Sequence, residues 1–248
     1  QTVLAELRPE QEQTVTFDPT DATDITTKYL IEASAFTRAS GGTDRFGTPQ
    51  HWTVENYNIR SKTEGIRGGL DKYPGYDCLM LGVWDDKGQN AEADITNARI
   101  YRLVELPAGS YFFGATYETI YNQGESYVYV ATESVNTSDI PNEALAFMRI
   151  SECKNDKQYW GLYFTLDESQ EVMLGWQADL LNSSNTQEFR VAKVLLATYT
   201  DINTDIEYTE QDTPSAPGIY TLQGVRVTAP FATLPQGVYI VNGKKMVK

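Results

Sequence analysis

Aromatic rings and hydrogen-bonding side chains occur together in three parts of the chain that lack a sustained apolar alternation. This combination suits a sugar, because an aromatic ring stacks on the C–H face of the sugar while Asp, Asn, Gln or Arg side chains bind its hydroxyls. The side chains predicted to bind a ligand in this way are Arg67, Tyr73, Tyr76, Trp84, Asp85, Tyr121 and Asn122.

Each of these residues also has a purely structural interpretation. Trp84 continues the alternation of an apolar strand, so its ring fits the protein core at least as well as a binding site. Tyr73 and Tyr76 fit a role in stiffening their loop, and Tyr121 fits the exposed tip of a hairpin. The other tryptophans share strand faces with apolar residues and are predicted to be core residues: Trp52, Trp160 and Trp176.

The sequence contains no motif of a nucleophilic or metal-dependent enzyme. The single histidine, His51, has no nucleophile motif beside it, and no cluster with metal-ligand spacing accompanies it. A glycosidase needs only two carboxylates a few ångströms apart, however, and the chain has 34 acidic residues. We therefore predict a non-catalytic protein, with a hydrolase that uses a carboxylate pair as the alternative.

Acidic residues and cysteines leave two further questions open. Asp18, Asp21 and Asp24 lack EF-hand spacing, and they suit either a structural calcium ion or, in the favoured interpretation, a solvated turn. No other cofactor is predicted. Cys78 and Cys153 lack the spacing of a zinc or redox motif, so they form either a disulfide or, as we favour, two buried thiols.

Composition and charge exclude several classes of protein. The 248 residues include 34 acidic and 20 basic ones, and the formal charge of −14 excludes a nucleic acid bound through its phosphates. The apolar runs fall far short of the roughly 18 residues of a spanning helix, so an integral membrane protein is not predicted. No export segment opens the chain at Gln1, and we expect a signal peptide to have been removed before it.

Alternation of apolar and polar residues predicts strands over most of the chain. In residues 159–166, for example, Trp160, Leu162, Phe164 and Leu166 share the predicted core face. Hairpins are predicted between 98–105 and 111–117 and between 159–166 and 172–177, and a bulge near Ala192. The other predicted strands are 29–36, 52–59, 78–84, 127–132, 144–150 and 189–196. This number of strands predicts an all-β, two-sheet antiparallel sandwich.

Composition and an internal repeat divide the chain into four parts. Residues 201–217 lose the alternation and gain charge and proline, as in a linker. From Pro214 to Lys248 there are four basic residues and no acidic one, and a 19-residue repeat predicts two successive hairpins there. The predicted parts are an N-terminal extension (1–24), a β-sandwich (25–200), a linker (201–217) and a C-terminal β-hairpin module (218–248).

The tail resembles the C-terminal sorting or anchoring module of proteins secreted by Bacteroidetes-type bacteria. The matching segments are Leu222–Val227, Leu234–Tyr239 and the lysine-rich end Asn242–Lys248. The resemblance implies a secreted or cell-surface protein that its C-terminal module tethers to the cell envelope.

The body resembles galactose-binding-like jelly rolls, which serve as carbohydrate-binding modules. The resemblance rests on the segments Asp24–Leu30, His51–Val54, Tyr101–Tyr111 and Glu188–Val194. It implies a jelly-roll β-sandwich whose partner is a polysaccharide or oligosaccharide. A structural or adhesive protein of the cell envelope is a further alternative, and it predicts no aromatic binding site.

Overall fold

The computed structural model describes residues 15–39, 45–57, 59–61, 65–67, 69–73, 76–83, 94–121, 124–181, 186–199, 219–221, 226–236, 238–241 and 244–247. The chain divides into two compact units, Gln1–Asp201 and Ile202–Lys248. Each unit is built from antiparallel strands, which confirms the prediction of an all-β protein.

Strands account for most of the described secondary structure. In chain order they are β1 (Val15–Thr16), β2 (Thr23–Asp24), β3 (Phe46–Gly47), β4 (Thr53–Glu55), β5 (Ile59–Ser61), β6 (Gly65–Arg67), β7 (Gly69–Tyr73), β8 (Tyr76–Val83), β9 (Ile95–Leu106), β10 (Gly109–Tyr121), β11 (Glu125–Ala131), β12 (Ala146–Arg149), β13 (Trp160–Leu166), β14 (Gln170–Leu180), β15 (Gln187–Thr198), β16 (Ile219–Thr221), β17 (Arg226–Val227), β18 (Val238–Val241) and β19 (Lys244–Val247). The described helices are short: α1 (Thr26–Tyr29), α2 (Ile140–Glu143) and single 3-10 turns at Thr137–Asp139, Ile150–Glu152 and Phe231–Thr233.

Two sheets form the larger unit. Sheet I has the strand order β1-β13-β10-β15-β8-β7-β3, with β2 also paired to β15, and sheet II has the order β12-β11-β14-β9-β4. Strands β5 and β6 pair separately. From β8 to β11, and again from β13 to β15, successive strands alternate between the two sheets.

The core between the sheets is rich in aromatic rings. The ring of Trp176, on sheet II, lies 5.3 Å from that of Phe113 on sheet I and 5.7 Å from that of Trp52. Its Nε1 donates a hydrogen bond to the Tyr117 hydroxyl at 3.0 Å. Trp52, Trp160 and Trp176 are all buried, as the sequence predicts.

The faces of individual strands agree with the predicted alternation. On β13, Trp160, Leu162, Phe164 and Leu166 are buried. The predicted bulge also occurs: Thr116 of β10 pairs with Lys193, but Tyr117 pairs with Val191, so Ala192 is the extra residue on β15. The bulge explains why apolar residues change parity along this strand.

Both predicted hairpins of the body are wrong. β9 pairs with β14 and β4, whereas β10 pairs with β13 and β15. β13 and β14 do not pair with each other either, because β13 lies in sheet I and β14 in sheet II. Two strands with alternating apolar residues and a tight connection can form a hairpin within one sheet or cross from one sheet to the other. The sequence pattern does not distinguish the two cases, because the same residues face the core in both.

Another wrong prediction is the strand over residues 29–36. The Asp24 carboxylate accepts a hydrogen bond from the Thr26 N–H at 2.8 Å, and α1 follows. Glu32 then adopts a left-handed φ of 59°, which breaks an extended run. The predicted strand 52–59 is likewise shortened, since Asn56 at φ 53° follows β4.

The smaller unit contains a four-stranded sheet of order β17-β16-β18-β19. β16 pairs with β17, β18 pairs with β19, and β16 and β18 pair with each other. Beside the sheet, the Phe231 and Tyr239 rings meet edge to face at 6.0 Å, and the Tyr239 hydroxyl donates to the Pro235 carbonyl at 3.1 Å.

Candidate functional site

One end of the two-sheet body collects three connections between the sheets. The chain leaves the sheets after Val83, Tyr121 and Leu180, and it returns at Ile95, Glu125 and Gln187. Strand pairing shows that these points are neighbours, since Val83 lies opposite Gln187 in sheet I and Leu180 opposite Ile95 in sheet II. We call this part of the body the loop end. Connections on a rigid β-scaffold are where binding residues usually lie.

Two large apolar side chains are exposed at the loop end. Tyr121 is 53% exposed and Leu181 is 54% exposed. Among the described residues, Tyr121 is the only aromatic side chain with so much of its surface in water. The Leu181 backbone is fixed, because its N–H donates to the Gln187 side-chain carbonyl at 2.8 Å. The loop end therefore presents a ring and an apolar side chain on a held backbone.

Two carboxylates of sheet II also lie at the loop end. Glu125, the first residue of β11, is exposed and lies directly opposite Asp179 of β14. Asp179 is oriented by the Asn97 N–H, which donates to its Oδ1 at 2.7 Å. The backbone at Gly124 lies close to that of β14, since a Cβ on Gly124 would be 2.8 Å from the Asp179 carbonyl oxygen.

A network of buried charges lies on sheet I next to the loop end. Arg190 donates from Nε to Asp71 at 2.9 Å and from Nη1 and Nη2 to the two Glu188 oxygens at 2.9 Å each. Arg45 donates two further hydrogen bonds to Asp71, at 2.8 and 3.1 Å, and Thr119 accepts one from Arg190 at 3.2 Å. Glu188 pairs with Tyr121 across the strands, so the network lies on the side of the sheet that carries the exposed ring.

The outer face of sheet II carries a second set of rings, and residues 132–145 cover it. We call this segment, which includes α2, the strap. Val135 and Ile140 of the strap are buried against side chains of the sheet: Tyr101, Tyr127, Tyr129, Phe147 and Met173. Because these rings are buried, they offer no stacking surface to a ligand.

Hydrogen bonds fix the strap to sheet II. Gln177 donates from Nε2 to the Val135 carbonyl at 3.0 Å and to Thr137 Oγ1 at 3.2 Å. Asn97 Oδ1 accepts from the N–H and the hydroxyl of Thr137, at 2.7 and 3.1 Å. Asn97 has a φ of 53°, which asparagine tolerates better than most residues.

Glu55 supports the strap from the edge of the sheet. It accepts hydrogen bonds from the Tyr101 hydroxyl at 2.8 Å and from Arg99 Nε at 2.7 Å, and Arg99 Nη1 reaches the Val135 carbonyl at 3.5 Å. Burial alone would raise the pKa of Glu55, but the hydrogen bonds from Tyr101 and Arg99 outweigh it and lower the pKa.

Of the residues predicted to bind a ligand, the structure places Tyr121 at the loop end. Trp84, Asp85 and Asn122 lie outside the described residues, and so do the side chains of Arg67, Tyr73 and Tyr76. In the backbone, Tyr73 pairs with Tyr76 at the end of β8 away from Val83. At about 3.3 Å per residue, roughly 20 Å separates this pair from Gly82, the β8 residue nearest Tyr121.

Two of the three aspartates considered for calcium accept hydrogen bonds within turns. Asp18 accepts a hydrogen bond from the Thr20 N–H at 2.9 Å, and Asp24 accepts one from Thr26. Within the described part of the chain, no three acidic, histidine or cysteine side chains lie close enough to hold a metal ion. His51 lies 3.8 Å from the Glu32 carboxylate, on another part of the surface.

The two cysteines are free and buried, as predicted. Burial raises the pKa of each thiol to about 12. Neither is ionised at neutral pH, so neither supplies a nucleophile to the loop end.

The sequence analysis missed Leu181 and the charge network. The signal for the network is the pair Glu188 and Arg190, which places two charges at alternate positions of a strand whose other face is apolar. Their partner Asp71 lies 119 residues from Arg190, and no local pattern connects the two.

These features define a two-sheet antiparallel β-sandwich with a loop-bearing end. The chain belongs to the family described as a domain of unknown function, DUF5013, whose profile matches residues 32–175. In structure it is similar to the K1 cleaved adhesin domain of Lys-gingipain from Porphyromonas gingivalis W83, at 13% sequence identity and a TM-score of 0.31, over 74% of this chain and 97% of that domain. No curated protein matches the sequence.

Among the described residues, no helix has the length and apolar character needed to cross a membrane.

Proposed function

We propose that this protein binds an oligosaccharide or polysaccharide at the loop end without cleaving it. The observation that carries the proposal is the exposed ring of Tyr121, 53% of whose surface meets water where three connections leave the sheets. Among the described residues of the body, the other large rings are buried in the core, lie beneath the strap or are half-buried, as Tyr159, Tyr163 and Tyr199 are on sheet I. A ring held on a strand end can stack on a sugar at little entropic cost.

The residues of the connecting segments suit hydroxyl recognition. Segment 84–93 contains Trp84, two aspartates, Gln89 and Asn90, and segment 182–185 consists of asparagine and serine. Amide and carboxylate groups both accept hydrogen bonds from sugar hydroxyls, and amides also donate them. The proposal therefore keeps Trp84, Asp85 and Asn122 as binding residues beside Tyr121.

The finer description of the fold belongs to the same proposal. A galactose-binding-like jelly roll requires strands that alternate between two sheets, and the alternation of β8 to β11 and β13 to β15 supports it. For the smaller unit we propose the role of a sorting or anchoring module, on the grounds of its repeat and its basic residues. A secreted or cell-surface location follows from that role.

The experiment is a glycan array followed by titration calorimetry on the glycans retained. Tyr121→Ala is expected to weaken binding by about tenfold to a hundredfold, which corresponds to the loss of one stacking contact. Its melting temperature should stay nearly unchanged, because the ring is exposed. The matched control is Leu103→Ala, which trims a side chain that is 50% exposed on sheet II. Equal affinity of Tyr121→Ala and the wild type would refute the proposed site.

A hydrolase is the second candidate, and one observation favours it. Glu125 lies directly opposite Asp179 at the loop end, and a glycosidase needs a pair of carboxylates. Incubation with each retained glycan followed by a reducing-sugar assay distinguishes the two functions. We expect no release of reducing ends, whereas release that Glu125→Gln abolishes would establish the hydrolase.

A further inference from the structure

Two tyrosine rings meet on the outer face of sheet I, which is turned away from sheet II. Tyr163 lies on β13 and Tyr199 directly follows β15, and both pack against the buried cluster that includes Phe112 of β10. The two ring centres are 5.5 Å apart, and the ring planes are tilted by 57°. Ser110 of β10 lies between the tyrosines, since its carbonyl accepts from the Tyr199 N–H at 2.9 Å and it pairs with Thr165 of β13. This small residue leaves room for the rings to meet across β10.

The hydroxyl groups of the two rings are held together by the backbone of Asp18. The Asp18 N–H donates a hydrogen bond to the Tyr163 hydroxyl at 3.1 Å, and the Tyr199 hydroxyl donates one to the Asp18 carbonyl. Because the Tyr199 proton is used in this way, Tyr163 is the donor in the 3.2 Å hydrogen bond between the two hydroxyls. These hydrogen bonds form a closed ring. They keep the two phenolic oxygens, and the ring carbons beside them, next to each other.

Phenols held in this way are suited to oxidative coupling. A phenol that loses one electron and one proton becomes a phenoxyl radical, whose unpaired electron is shared between the oxygen and the ortho and para carbons. In tyrosine the para carbon carries the rest of the side chain, so two such radicals join at ortho carbons. Those carbons flank the hydroxyls that lie together in Tyr163 and Tyr199. The last torsion of a tyrosine side chain is soft, so a small approach of the two rings is inexpensive.

We propose that Tyr163 and Tyr199 are a site of oxidative cross-linking, in which a carbon–carbon bond forms between their ortho carbons to give dityrosine. The oxidant is hydrogen peroxide used by a haem peroxidase, which takes one electron and one proton from each hydroxyl. After the two radicals couple, the hydrogens on the joined carbons move to the two oxygens as protons, and both rings become aromatic again. In sum, the pair loses two hydrogen atoms and one hydrogen peroxide is reduced to two waters.

The surroundings of the two rings favour coupling within the pair. Both tyrosines are half-buried, so part of each ring is open to an oxidant from solvent. The ring of Phe112, at 5.1 Å from that of Tyr163, has no hydroxyl and forms no such radical. A partner held in place reacts as if it were present at a far higher concentration than a second molecule in solution. The first radical formed on either tyrosine therefore has the other as its partner.

The bond would join two strands that do not pair with each other. Tyr163 and Tyr199 are 36 residues apart in the chain, and β10 lies between their strands. As with a disulfide, a covalent link over this distance restricts the unfolded chain and so stabilises the folded one. We expect the cross-linked protein to melt about 5–15 °C above the untreated protein.

The test treats the full chain, at micromolar concentration, with a haem peroxidase and an equimolar amount of hydrogen peroxide. Gel filtration then separates the monomer from multimers, since the exposed Tyr121 can couple one molecule to another. The monomer should show the fluorescence of dityrosine and a mass lowered by two hydrogen atoms. After digestion, mass spectrometry should find two peptides joined through Tyr163 and Tyr199.

Conservative variants connect the product to the two hydroxyls. Tyr163→Phe and Tyr199→Phe keep the rings but remove one phenol each, so both variants should lose the joined peptides and the fluorescence of the monomer. The matched control is Tyr159→Phe, which changes another half-buried ring of the same cluster. It should form the cross-link to the same extent as the wild type.

Peptide mapping of the wild type decides the proposal even if a variant folds poorly. A treated monomer whose tyrosines are oxidised without the joined peptides would overturn it. Fluorescence of the Tyr199→Phe monomer equal to that of the wild type would overturn it as well, because dityrosine would then arise elsewhere. An unchanged melting temperature of the cross-linked monomer would refute the stabilising role of the bond.

Discussion

The Arg190 guanidinium connects three strands of sheet I. It lies on β15, binds Asp71 of β7 and donates to Thr119 of β10. Charge-assisted, bidentate hydrogen bonds of this kind are stronger than those between neutral groups. They hold these three strands together on the side of sheet I that carries Tyr121. Arg190 therefore acts by holding these strands in place, because its own charge is already balanced by the carboxylates of the network.

Removal of this guanidinium should be costly. Arg190→Ala leaves the buried Asp71 and Glu188 carboxylates without their central partner, and breaking a buried ion pair typically costs about 3–5 kcal/mol. Urea denaturation measures the change in the free energy of unfolding. Lys193→Ala, an exposed change on the same strand, should cost less than about 0.5 kcal/mol. Equal stability of the two variants would show that the network contributes nothing.

The sequence predicts which single residues are buried far better than it predicts which residues contact each other. Alternation identified Trp160 and Leu162 as core residues because a strand with one wet face must place every second side chain inside. It could not connect Asp71 to Arg190, since that contact depends on which strands become neighbours. Tyr121 was found because an aromatic residue next to Asn-Gln-Gly lies at a turn.

At the scale of elements, the strap is stabilised by an ionised Glu55. The pKa of Glu55 is lowered from 4.5 in the folded protein by the bonds from Tyr101 and Arg99. Its contribution to stability is therefore complete above pH 4.5 and is lost as the pH falls through the lower, folded pKa.

This linkage predicts a pH-dependent difference between the wild type and Glu55→Gln. The wild type should melt at the higher temperature at about pH 7, and the difference should shrink below the usual pKa of 4.5. Thermal melts from about pH 7 to about pH 3 measure it, with Glu171→Gln as an exposed control on the same sheet. A difference that stays constant with pH would show that the ionised form is not what supports the strap.

Connections between elements were harder to predict than the elements themselves. The predicted strands 159–166 and 127–132 lie close to the observed limits of β13 and β11, because each combines apolar alternation with flanking turn residues. The partners of β9 and β13 were wrong because Pro107 and Asp167 each lie in a short connection, and shortness does not distinguish a hairpin from a crossing. The strap was not predicted at all, since its anchors Val135 and Ile140 are isolated apolar residues in a polar segment.

At the scale of the whole molecule, the chain consists of two units of unequal size and charge, because the smaller one carries four acidic and four basic residues and the larger one carries the net negative charge. The boundary at Asp201 and Ile202 falls at the start of the segment whose composition predicts a linker. We therefore expect a glutamate-specific protease to cut the native protein first after Glu207 or Glu210. Mass spectrometry of a time course identifies the cut, and calorimetry should show the larger fragment melting at an unchanged temperature. Initial cleavage within the described strands, or a lower melting temperature of that fragment, would contradict this expectation.

The position of β15 in sheet I has a consequence for how the protein is made. This strand pairs with β10, β8 and β2, yet it is the last strand of its unit to leave the ribosome. Until residue 187 has been synthesised, β8 and β10 lack the neighbour that joins them, and the sheet cannot close. Folding must wait for distant parts of the chain to meet, which makes it slow. A nascent chain in that condition exposes the unpaired edges of its earlier strands until the last part of the unit has been synthesised.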